Sequence, residues 1–234
     1  MKITTVLFDL DGTLLPMDQE AFVKAYLGRL AAFLAPHGYE PKAIVDSIWA
    51  GTGAMVKNDG RATNESVFWN KFCTIFGEDA RKDEPLFQRF YETVFPEVQS
   101  ACGFHPDAAK AIAAIRAKGL RVTLATNPIF PAIATRERIR WAGLTPEDFE
   151  FFTSYENSRY CKPNLSYYQD VLNQLGVCAE ECLMVGNDVG EDMITAKLGM
   201  KTFLLTHSLI DRCLDYSAYP QGDFNDLLNY IDSL

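Results

Sequence analysis

The sequence predicts an α/β protein: a doubly wound parallel sheet with an all-helical segment inserted after its first strand. The first observation is that, from about residue 104 to residue 205, short apolar segments alternate with amphipathic segments of helical period. This alternation is typical of parallel sheets that carry helices on both faces. The second observation is that residues 16–97 show only helical periodicity and no convincing strand.

The first strand is predicted over residues 3–8, where apolar residues and two β-branched threonines form a continuous run. The run ends abruptly at Asp9 and Asp11, and Gly12 then turns the chain. Two carboxylates this close repel each other unless a cation or a proton lies between them. Because open α/β sheets bind ligands at the carboxyl ends of their strands, the pair predicts a functional site at that edge.

The inserted segment, residues 16–97, is predicted to be a separate helical domain, while residues 1–15 and 98–234 form the core that contains the sheet. We expect hinges near Leu15–Pro16 and Pro96–Glu97. Apolar spacing predicts helices over about 21–33, 41–50, 64–76 and 82–94. Polar turns separate them: Gly51-Thr52-Gly53 is predicted to end the second helix, and residues 58–60 follow it. Arg61 is the first candidate for contacting a phosphate or carboxylate group of a ligand, although a surface turn is the simpler interpretation of residues 58–61. Four aromatic residues are expected in the core of this domain: Trp49, Phe68, Trp69 and Phe72.

The second half of the chain predicts the rest of the sheet. Strands are expected over residues 121–126, 150–153, 182–186 and 201–205, the last of which completes the sheet. Helices are expected between them, over about 106–118, 131–142, 165–175 and 193–198, several of them ended by a glycine. A final amphipathic helix follows Asp223, its predicted N-cap.

Composition excludes some classes of partner. The chain has 234 residues, 48% of them hydrophobic, which is enough to bury a substantial core. Its net charge is −9 and it has no Lys/Arg cluster, which argues against nucleic acid or an anionic membrane as a partner. The longest apolar runs fall short of the ~20 residues that span a bilayer. Six cysteines without a metal-binding spacing are interpreted as reduced thiols, and the expected location is the cytoplasm.

Four segments in a fixed order resemble the motifs of a known family. They are the run from Asp9 to Leu14 (D-L-D-G-T-L), Leu124-Ala125-Thr126-Asn127, Cys161-Lys162-Pro163, and Met184-Val185-Gly186-Asn187-Asp188 followed by Asp192. Together they resemble the haloacid dehalogenase (HAD) superfamily of Mg²⁺-dependent phosphohydrolases. The resemblance covers roughly residues 1–15 and 98–210, and the helical insert resembles the C1-type cap of this superfamily. It implies a phosphatase acting through an aspartyl-phosphate intermediate.

The resemblance implies a role for each carboxylate of the first motif. Asp9 would be the nucleophile. Asp11, on the same face of an extended chain, could protonate the leaving oxygen and later deprotonate the attacking water. Haloacid dehalogenases lack the second Asp, because a halide needs no proton, so Asp11 favours phosphate chemistry. Thr13 is interpreted as an anchor for the loop.

The other motifs imply the rest of the site. Thr126 and Asn127 would bind phosphoryl oxygens, and Lys162 would place an ammonium against the phosphoryl group and the nucleophile. Asp9, Asp11 and Asp188 would bind Mg²⁺, a hard cation that prefers oxygen ligands. Asp192, one helical turn after Asp188, would support the metal or pair with Lys162.

One departure from the family leaves an alternative open. Many relatives read Gly-Asp at the fourth motif, whereas this chain reads Gly186-Asn187-Asp188. The four-residue gap between Asp188 and Asp192 matches the family spacing and favours Asp188 as the metal ligand. Asn187 is the alternative.

The function predicted is therefore the removal of phosphate from a small phosphorylated metabolite. A phosphomutase or a phosphonatase of the same fold is the first alternative. Phosphonatases of this superfamily use a cap lysine, and neither Lys57 nor Lys71 has a matching context. A receiver domain of a response regulator would be about half as long and would lack the helical insert. A non-catalytic binding protein on the same scaffold normally lacks one motif carboxylate, and all are present here.

Overall fold

The computed structural model describes residues 2–234, and its centre is a six-stranded sheet in which every strand pair is parallel. The strand order is β3-β2-β1-β4-β5-β6, with β1 in the middle. This order is that of a doubly wound α/β sheet, so the predicted fold class is confirmed. The strands are β1 Thr5–Phe8, β2 Arg121–Leu124, β3 Phe151–Phe152, β4 Cys182–Gly186, β5 Lys201–Leu205 and β6 Gln221–Gly222.

The two faces of the sheet are covered by different groups of side chains. Val6 and Phe8 on β1 belong to the larger apolar cluster, which includes Ile112. Leu7, which points to the opposite face, belongs to a second cluster with Tyr168. Alternation along a fully buried strand thus supplies both layers. The helices of the core are α5 Pro106–Ala117, α6 Ala132–Trp141, α7 Leu165–Leu175 and α8 Phe224–Ser233.

Two details of the core differ from the sequence prediction. β6 was not predicted, because Gln221–Gly222 is a two-residue polar segment that is a strand only through its pairing with β5. Residues 193–198 form a 3₁₀ helix rather than an α-helix. This segment has only six residues between its N-cap Asp192 and the left-handed Gly199. The N-cap of α8 is Asp223, as predicted, and its carboxylate accepts from two backbone N–H groups.

The inserted segment consists of helices, as predicted. All of residues 16–97 are described, and apart from an isolated bridge at Met17 they contain no strand pairing. Its helices are α1 Gln19–Leu34, α2 Pro41–Val56, α3 Asn64–Phe76 and α4 Glu84–Thr93, with 3₁₀ helices over Ala35–His37, Glu78–Asp83 and Phe95–Ala101.

α2 extends six residues beyond the predicted end at residue 50. The predicted terminator Gly51 lies inside the helix, where a Cβ would come within 2.5 Å of the Phe68 ring. Close packing of α2 on α3 therefore requires glycine here. Trp49 was expected in the core of the segment, but it is 54% exposed. It follows the buried Ile48, and one residue turns a helix by about 100°.

The two connections between the insert and the sheet run side by side. Gly103 N–H donates to the Pro16 carbonyl at 2.6 Å, and Met17 pairs with Cys102 in an antiparallel bridge. Aromatic contacts continue the apolar core across this boundary: Tyr26 packs edge-on against Phe130 with ring centroids 5.3 Å apart. The hinges near residues 15 and 96 stay a prediction. Within residues 2–234, no helix is long and apolar enough to cross a membrane.

Candidate active site

Most of the predicted site residues line one cleft, at the edge of the sheet where β1, β2 and β4 end. In the sheet register, Phe8 lies opposite Leu124 and Val185, so the residues after each strand emerge at the same level. Helix α1 and the segment around residue 130 form the opposite wall. The predicted residues on the cleft wall are Asp9, Asp11, Thr126, Asn127, Asp188 and Asp192, together with the alternative Asn187.

Lys162 joins the first and fourth motifs. Its Nζ donates to Asp9 Oδ1 at 2.8 Å and to Asp192 Oδ1 at 2.7 Å, and the lysine side chain is almost fully buried. Burial disfavours its charge, but the carboxylates of Asp192 and Asp9 outweigh burial and hold the pKa of Lys162 well above its ordinary value. Lys162 is therefore a fixed cation beside one oxygen of Asp9.

Asp192 is held from two sides. One oxygen accepts from Lys162, and the other accepts from the backbone N–H of Asp188 at 3.0 Å. Burial raises the pKa of Asp192 to about 7, against the opposing effect of Lys162. Of the two roles predicted for Asp192, pairing with Lys162 is the one that this geometry contains.

Thr13 holds the other oxygen of the first carboxylate. Its Oγ1 lies 3.1 Å from Asp9 Oδ2 and 2.9 Å from Asn187 Oδ1, so its single proton can be donated to either acceptor. Asn187 in turn donates to the Ser208 carbonyl at 2.6 Å. Gly12 makes this approach possible, because a Cβ there would lie 2.3 Å from Asn187 Nδ2. Thr13 is thus the loop anchor that was expected, and Asn187 is part of the same anchor.

Asp188 has an ion-pair partner that was not predicted. Arg212 Nε lies 2.7 and 2.9 Å from its two carboxylate oxygens, and Nη2 lies 2.5 Å from Oδ2. The backbone N–H groups of Gly190 and Glu191 also donate to Oδ1. Arg212 follows β5 in a loop and adopts a left-handed backbone, with φ of 53°. Nothing in the local sequence around Arg212 indicates this contact.

Asp11 also has an unpredicted partner, Arg138 on α6. Arg138 is completely buried, forms an ion pair with Asp11 Oδ2, and stacks over the Phe130 ring with 4.5 Å to the centroid. The other oxygen, Asp11 Oδ1, is buried and has no hydrogen-bond partner among the described residues. Burial raises the pKa of Asp11; Arg138 opposes this shift and Asp9 adds to it. A carboxyl that binds its proton more readily is suited to act as a general acid.

The second motif is fixed by residues of later elements. The backbone carbonyl of Thr126 accepts from Thr153 Oγ1 at 2.7 Å and from the Tyr167 hydroxyl at 2.8 Å. The Asn127 amide accepts from the backbone N–H of Lys162 and donates to Glu191, each at 3.3 Å. The second, third and fourth motifs are therefore connected through Asn127.

Arg61, the candidate from the inserted segment, is not part of this cleft. Its side chain is exposed and pairs with the neighbouring Asp59 at 3.2 Å. A surface turn, the simpler interpretation of residues 58–61, describes what is observed.

The three predicted metal ligands border the cleft but do not gather around one point. Within residues 2–234 no three Asp, Glu, His or Cys side chains are arranged to hold a metal ion. The donor chemistry nonetheless suits Mg²⁺, because all three ligands are carboxylates and Asp11 offers an oxygen without a partner. Asp188 is the least available of the three ligands, because both of its carboxylate oxygens already contact Arg212.

Comparison with known proteins gives the same family as the motifs. A family profile described as haloacid dehalogenase-like hydrolase matches residues 3–199. The pyrophosphatase PpaX of Bacillus cereus (strain AH820) is 26% identical over 239 aligned positions, covering 100% of this chain and 99% of the relative. The phosphoglycolate phosphatase of Colwellia psychrerythraea is 25% identical, covering 82% of this chain and 79% of the relative.

Solved structures show the same fold. The crystal structure of a 2-haloacid dehalogenase from Pseudomonas syringae pv. Tomato DC3000 superposes with a TM-score of 0.65 at 20% identity, covering 99% of this chain and 98% of the other. A likeness at this identity concerns the fold and not the reaction. With the profile matching most of its length and the four motifs meeting at one sheet edge, the chain belongs to the haloacid dehalogenase-like hydrolase family.

Proposed function

We propose that the protein is a Mg²⁺-dependent phosphatase that removes phosphate from a small phosphorylated metabolite through an aspartyl-phosphate intermediate. The observation that carries this proposal is the setting of the two leading carboxylates. Asp9 is fixed by Lys162 on one oxygen and by Thr13 on the other, while Asp11 pairs with the buried Arg138. Asp9 is thus oriented beside a cation, whereas burial raises the pKa of Asp11 although Arg138 opposes that shift.

In the first step of this mechanism, an oxygen of Asp9 attacks the phosphorus atom. A bond forms between Asp9 and phosphorus while the bond from phosphorus to the leaving oxygen breaks, and Asp11 supplies the proton that this oxygen needs. Lys162 offsets the charge that collects on the phosphoryl oxygens. Thr126 and Asn127, at the end of β2, are the candidates for donating hydrogen bonds to the same oxygens.

In the second step, Asp11 takes a proton from a water molecule, which attacks the phosphorus of the aspartyl-phosphate. The bond to Asp9 breaks, and inorganic phosphate and the free carboxylate are restored. The same residue acts first as acid and then as base, so its surroundings must allow both protonation states. Burial raises the pKa of Asp11, and the charge of Arg138 opposes that shift.

Asp9, Asp11 and Asp188 are the residues that would hold Mg²⁺. When bound, the ion supplies positive charge to the phosphoryl oxygens. Arg212 neutralises Asp188 in the structure, so we expect metal binding and the Arg212–Asp188 ion pair to compete. The Asn187 side chain hydrogen-bonds to Thr13 and to the Ser208 carbonyl, so Asp188 is the better candidate for the metal ligand of the fourth motif.

The relatives suggest two substrate classes. One is named a pyrophosphatase and the other a phosphoglycolate phosphatase, and both names describe cleavage of a small phosphate compound. The presence of Asp11, the proton donor for an oxygen leaving group, supports phosphate rather than halide chemistry for this chain.

The proposal is tested by incubating the purified protein with a panel of phosphorylated metabolites and Mg²⁺ and measuring released phosphate. We expect release from at least one compound and none with the Asp9→Asn variant. Conversion of a substrate to a phosphorylated isomer without phosphate release would indicate a mutase instead. Failure with the whole panel, by a protein that is folded and binds Mg²⁺, would contradict the proposal.

A further inference from the structure

A second concavity, which we call the aromatic pocket, opens beside the catalytic cleft. Its wall is formed by side chains of α1, α2, α3 and α4 together with the segment after β2. The two cavities adjoin each other, because Val23, Ile129 and Phe130 line both of them. A molecule whose phosphate lies at Asp9 would therefore meet the aromatic pocket with its remaining part.

The lining of the aromatic pocket is uncharged. Among the described residues that line it there is no Lys, Arg, Asp, Glu or His. Its polar groups include the hydroxyls of Tyr26 and Tyr91, which hydrogen-bond to each other at 2.8 Å. Burial raises the pKa of Tyr26 to about 12 and that of Tyr91 well above its ordinary value, so both phenols are neutral at pH 7.

The cations of the catalytic cleft are already balanced by carboxylates. Lys162 contacts two carboxylates, Arg212 contacts two, and Arg138 contacts Asp11. Once the phosphoryl group occupies the cleft, the described residues that line the two cavities offer no unpaired cationic side chain to neutralise a second anionic group on the substrate. Burying an unpaired anion in an apolar cavity is strongly unfavourable.

We propose that the aromatic pocket binds the alcohol part of the substrate, and that the substrate is a phosphate monoester of an alcohol carrying an uncharged, apolar and preferably aromatic group. The inference rests on the phosphatase function proposed above and adds the substrate class to it. Aromatic rings favour an aromatic guest, because stacked and edge-on contacts add to the burial of apolar area. The pocket offers such partners in Trp69, Phe68 and Phe87. Pyrophosphate and phosphoglycolate, the compounds suggested by the relatives, have no apolar part to occupy it.

The first experiment compares two phosphate monoesters that differ only in the alcohol part, which would occupy the aromatic pocket. 2-Phenylethyl phosphate and ethyl phosphate release primary alcohols of similar acidity, so chemistry at phosphorus is alike. We expect kcat/KM to be at least about tenfold higher for 2-phenylethyl phosphate, since even small apolar increments in a fitting pocket are worth factors of ten or more. Pyrophosphate and phosphoglycolate, assayed alongside, should be poorer substrates than 2-phenylethyl phosphate.

The second experiment tests whether the preference for 2-phenylethyl phosphate arises in the aromatic pocket. Thr52 lies on α2 in the wall of the aromatic pocket, and Thr52→Trp would fill the space with an indole ring. We expect the ratio of kcat/KM for 2-phenylethyl over ethyl phosphate to fall towards one. Thr74→Trp makes the same change at an exposed position of α3 outside the pocket, and it should keep the wild-type ratio. Val23→Phe, at the opening shared by the two cavities, is the second blocking variant if Thr52→Trp does not fold.

The outcomes separate this inference from the proposed function. If no compound releases phosphate, the phosphatase function itself is wrong. If the kcat/KM for ethyl phosphate, pyrophosphate or phosphoglycolate equals or exceeds that for 2-phenylethyl phosphate, the enzyme is a phosphatase but the proposed substrate class is wrong. A wild-type preference that survives both blocking variants would show that the apolar group binds somewhere else.

Discussion

The side chain of Arg138 is fully buried, and its guanidinium forms an ion pair with Asp11. Removing one member of a buried pair leaves the other without compensation, which typically costs about 3–5 kcal/mol. Because Arg138 is the more buried of the two, loss of the Asp11 charge should be the more damaging change. The pair therefore contributes to stability as well as to the proposed proton transfer.

We predict that Asp11→Ala lowers the free energy of unfolding by about 3 kcal/mol in urea denaturation. Asp11→Asn should cost less, because an amide oxygen can still accept from Arg138. Adding Arg138→Met to Asp11→Ala should recover part of the loss, so that the two changes are not additive. Asp46→Ala, which removes an exposed pair with Lys42 on α2, is the control and should leave stability nearly unchanged. Strict additivity of Asp11→Ala and Arg138→Met would contradict the pairing.

The chemical roles of the two carboxylates lead to a second prediction at this scale. Asp9→Asn should abolish turnover in a protein that remains folded, because an amide cannot attack phosphorus. Asp11→Asn should slow turnover of alkyl phosphates by about 10²–10⁴-fold. The loss in the first step should shrink for an aryl phosphate, whose leaving group departs without a proton. Radiolabelled phosphate should then accumulate on Asp9 of Asp11→Asn, and label on any other residue would overturn the assignment.

At the scale of a single element, the geometry at the carboxyl end of β4 depends on glycine having no side chain. Gly186 is the last residue of β4, and a Cβ there would lie 2.1 Å from Asp192 Oδ2. Glycine is required because the Asp192 carboxylate must come close to the strand. There it accepts from the backbone N–H of Asp188 and from Lys162 Nζ at the same time. The strand end thus determines where Lys162 lies, although Lys162 belongs to a different segment.

We predict that Gly186→Ala displaces Asp192 and, with it, Lys162. Activity should fall by about 10²-fold, the order of loss expected when a catalytic group moves by roughly 1 Å. Overpacking should also cost about 1–3 kcal/mol of stability. The matched control is Gly28→Ala in α1, where a new Cβ meets no atom within 4 Å. This control should keep full activity and gain about 0.5–1 kcal/mol, and a Gly186→Ala enzyme as active as that control would show that the contact with Asp192 is unimportant.

At the scale of the whole molecule, the insert and the sheet share one apolar cluster. Phe95 stacks on Trp141 with ring centroids 5.1 Å apart, and Phe22 and Tyr26 both pack against Phe130. These contacts couple the stability of residues 16–97 to that of the sheet, even if the insert also moves as a lid in the way that many enzymes use.

We therefore predict that the insert and the sheet unfold together. Trp49 and Trp69 report on the insert and Trp141 on the core. Urea transitions followed by fluorescence should coincide for Trp141→Phe, which keeps the first two, and for Trp49→Phe/Trp69→Phe, which keeps the third. Circular dichroism should give the same midpoint for each variant. An earlier transition of the insert would show that it is an energetically independent domain.

The metal site also belongs to this scale, because its three candidate ligands follow two different strands. Activity should disappear in excess EDTA and return with added Mg²⁺. Without substrate, saturating Mg²⁺ should raise Tm, by an amount equivalent to about 2.7 kcal/mol when its concentration is 100 times Kd. Arg212→Ala should increase the Mg²⁺-induced shift, because Asp188 would lose its competing partner. Full activity in EDTA would contradict metal dependence.

Much of the fold was determined by local sequence. The buried run that ends at Asp9, the alternation of strands and helices after residue 104, and the N-cap Asp223 each depend on neighbours along the chain, and each is observed. Three of the four motifs lie at or just after strand ends, and the third, with Lys162, lies in the loop before α7; together they identified most residues of the candidate site. Where prediction relied on local signals alone, it also erred: Gly51 does not end α2, because its packing against Phe68 outweighs the weak helix propensity of glycine.

Only the tertiary structure decided which charges meet. Arg138 lies 127 residues from Asp11, and Arg212 lies 24 residues from Asp188. In the sequence, Arg138 is one of several arginines on a helix and Arg212 belongs to a polar loop. Their pairing depends on how α6 and the loop after β5 are placed against the sheet edge, and so does the meeting of the aromatic pocket with the catalytic cleft. Local periodicity reports the structure of each element, whereas these long-range contacts arise from packing between elements, which carries no signal in the sequence around any one of them.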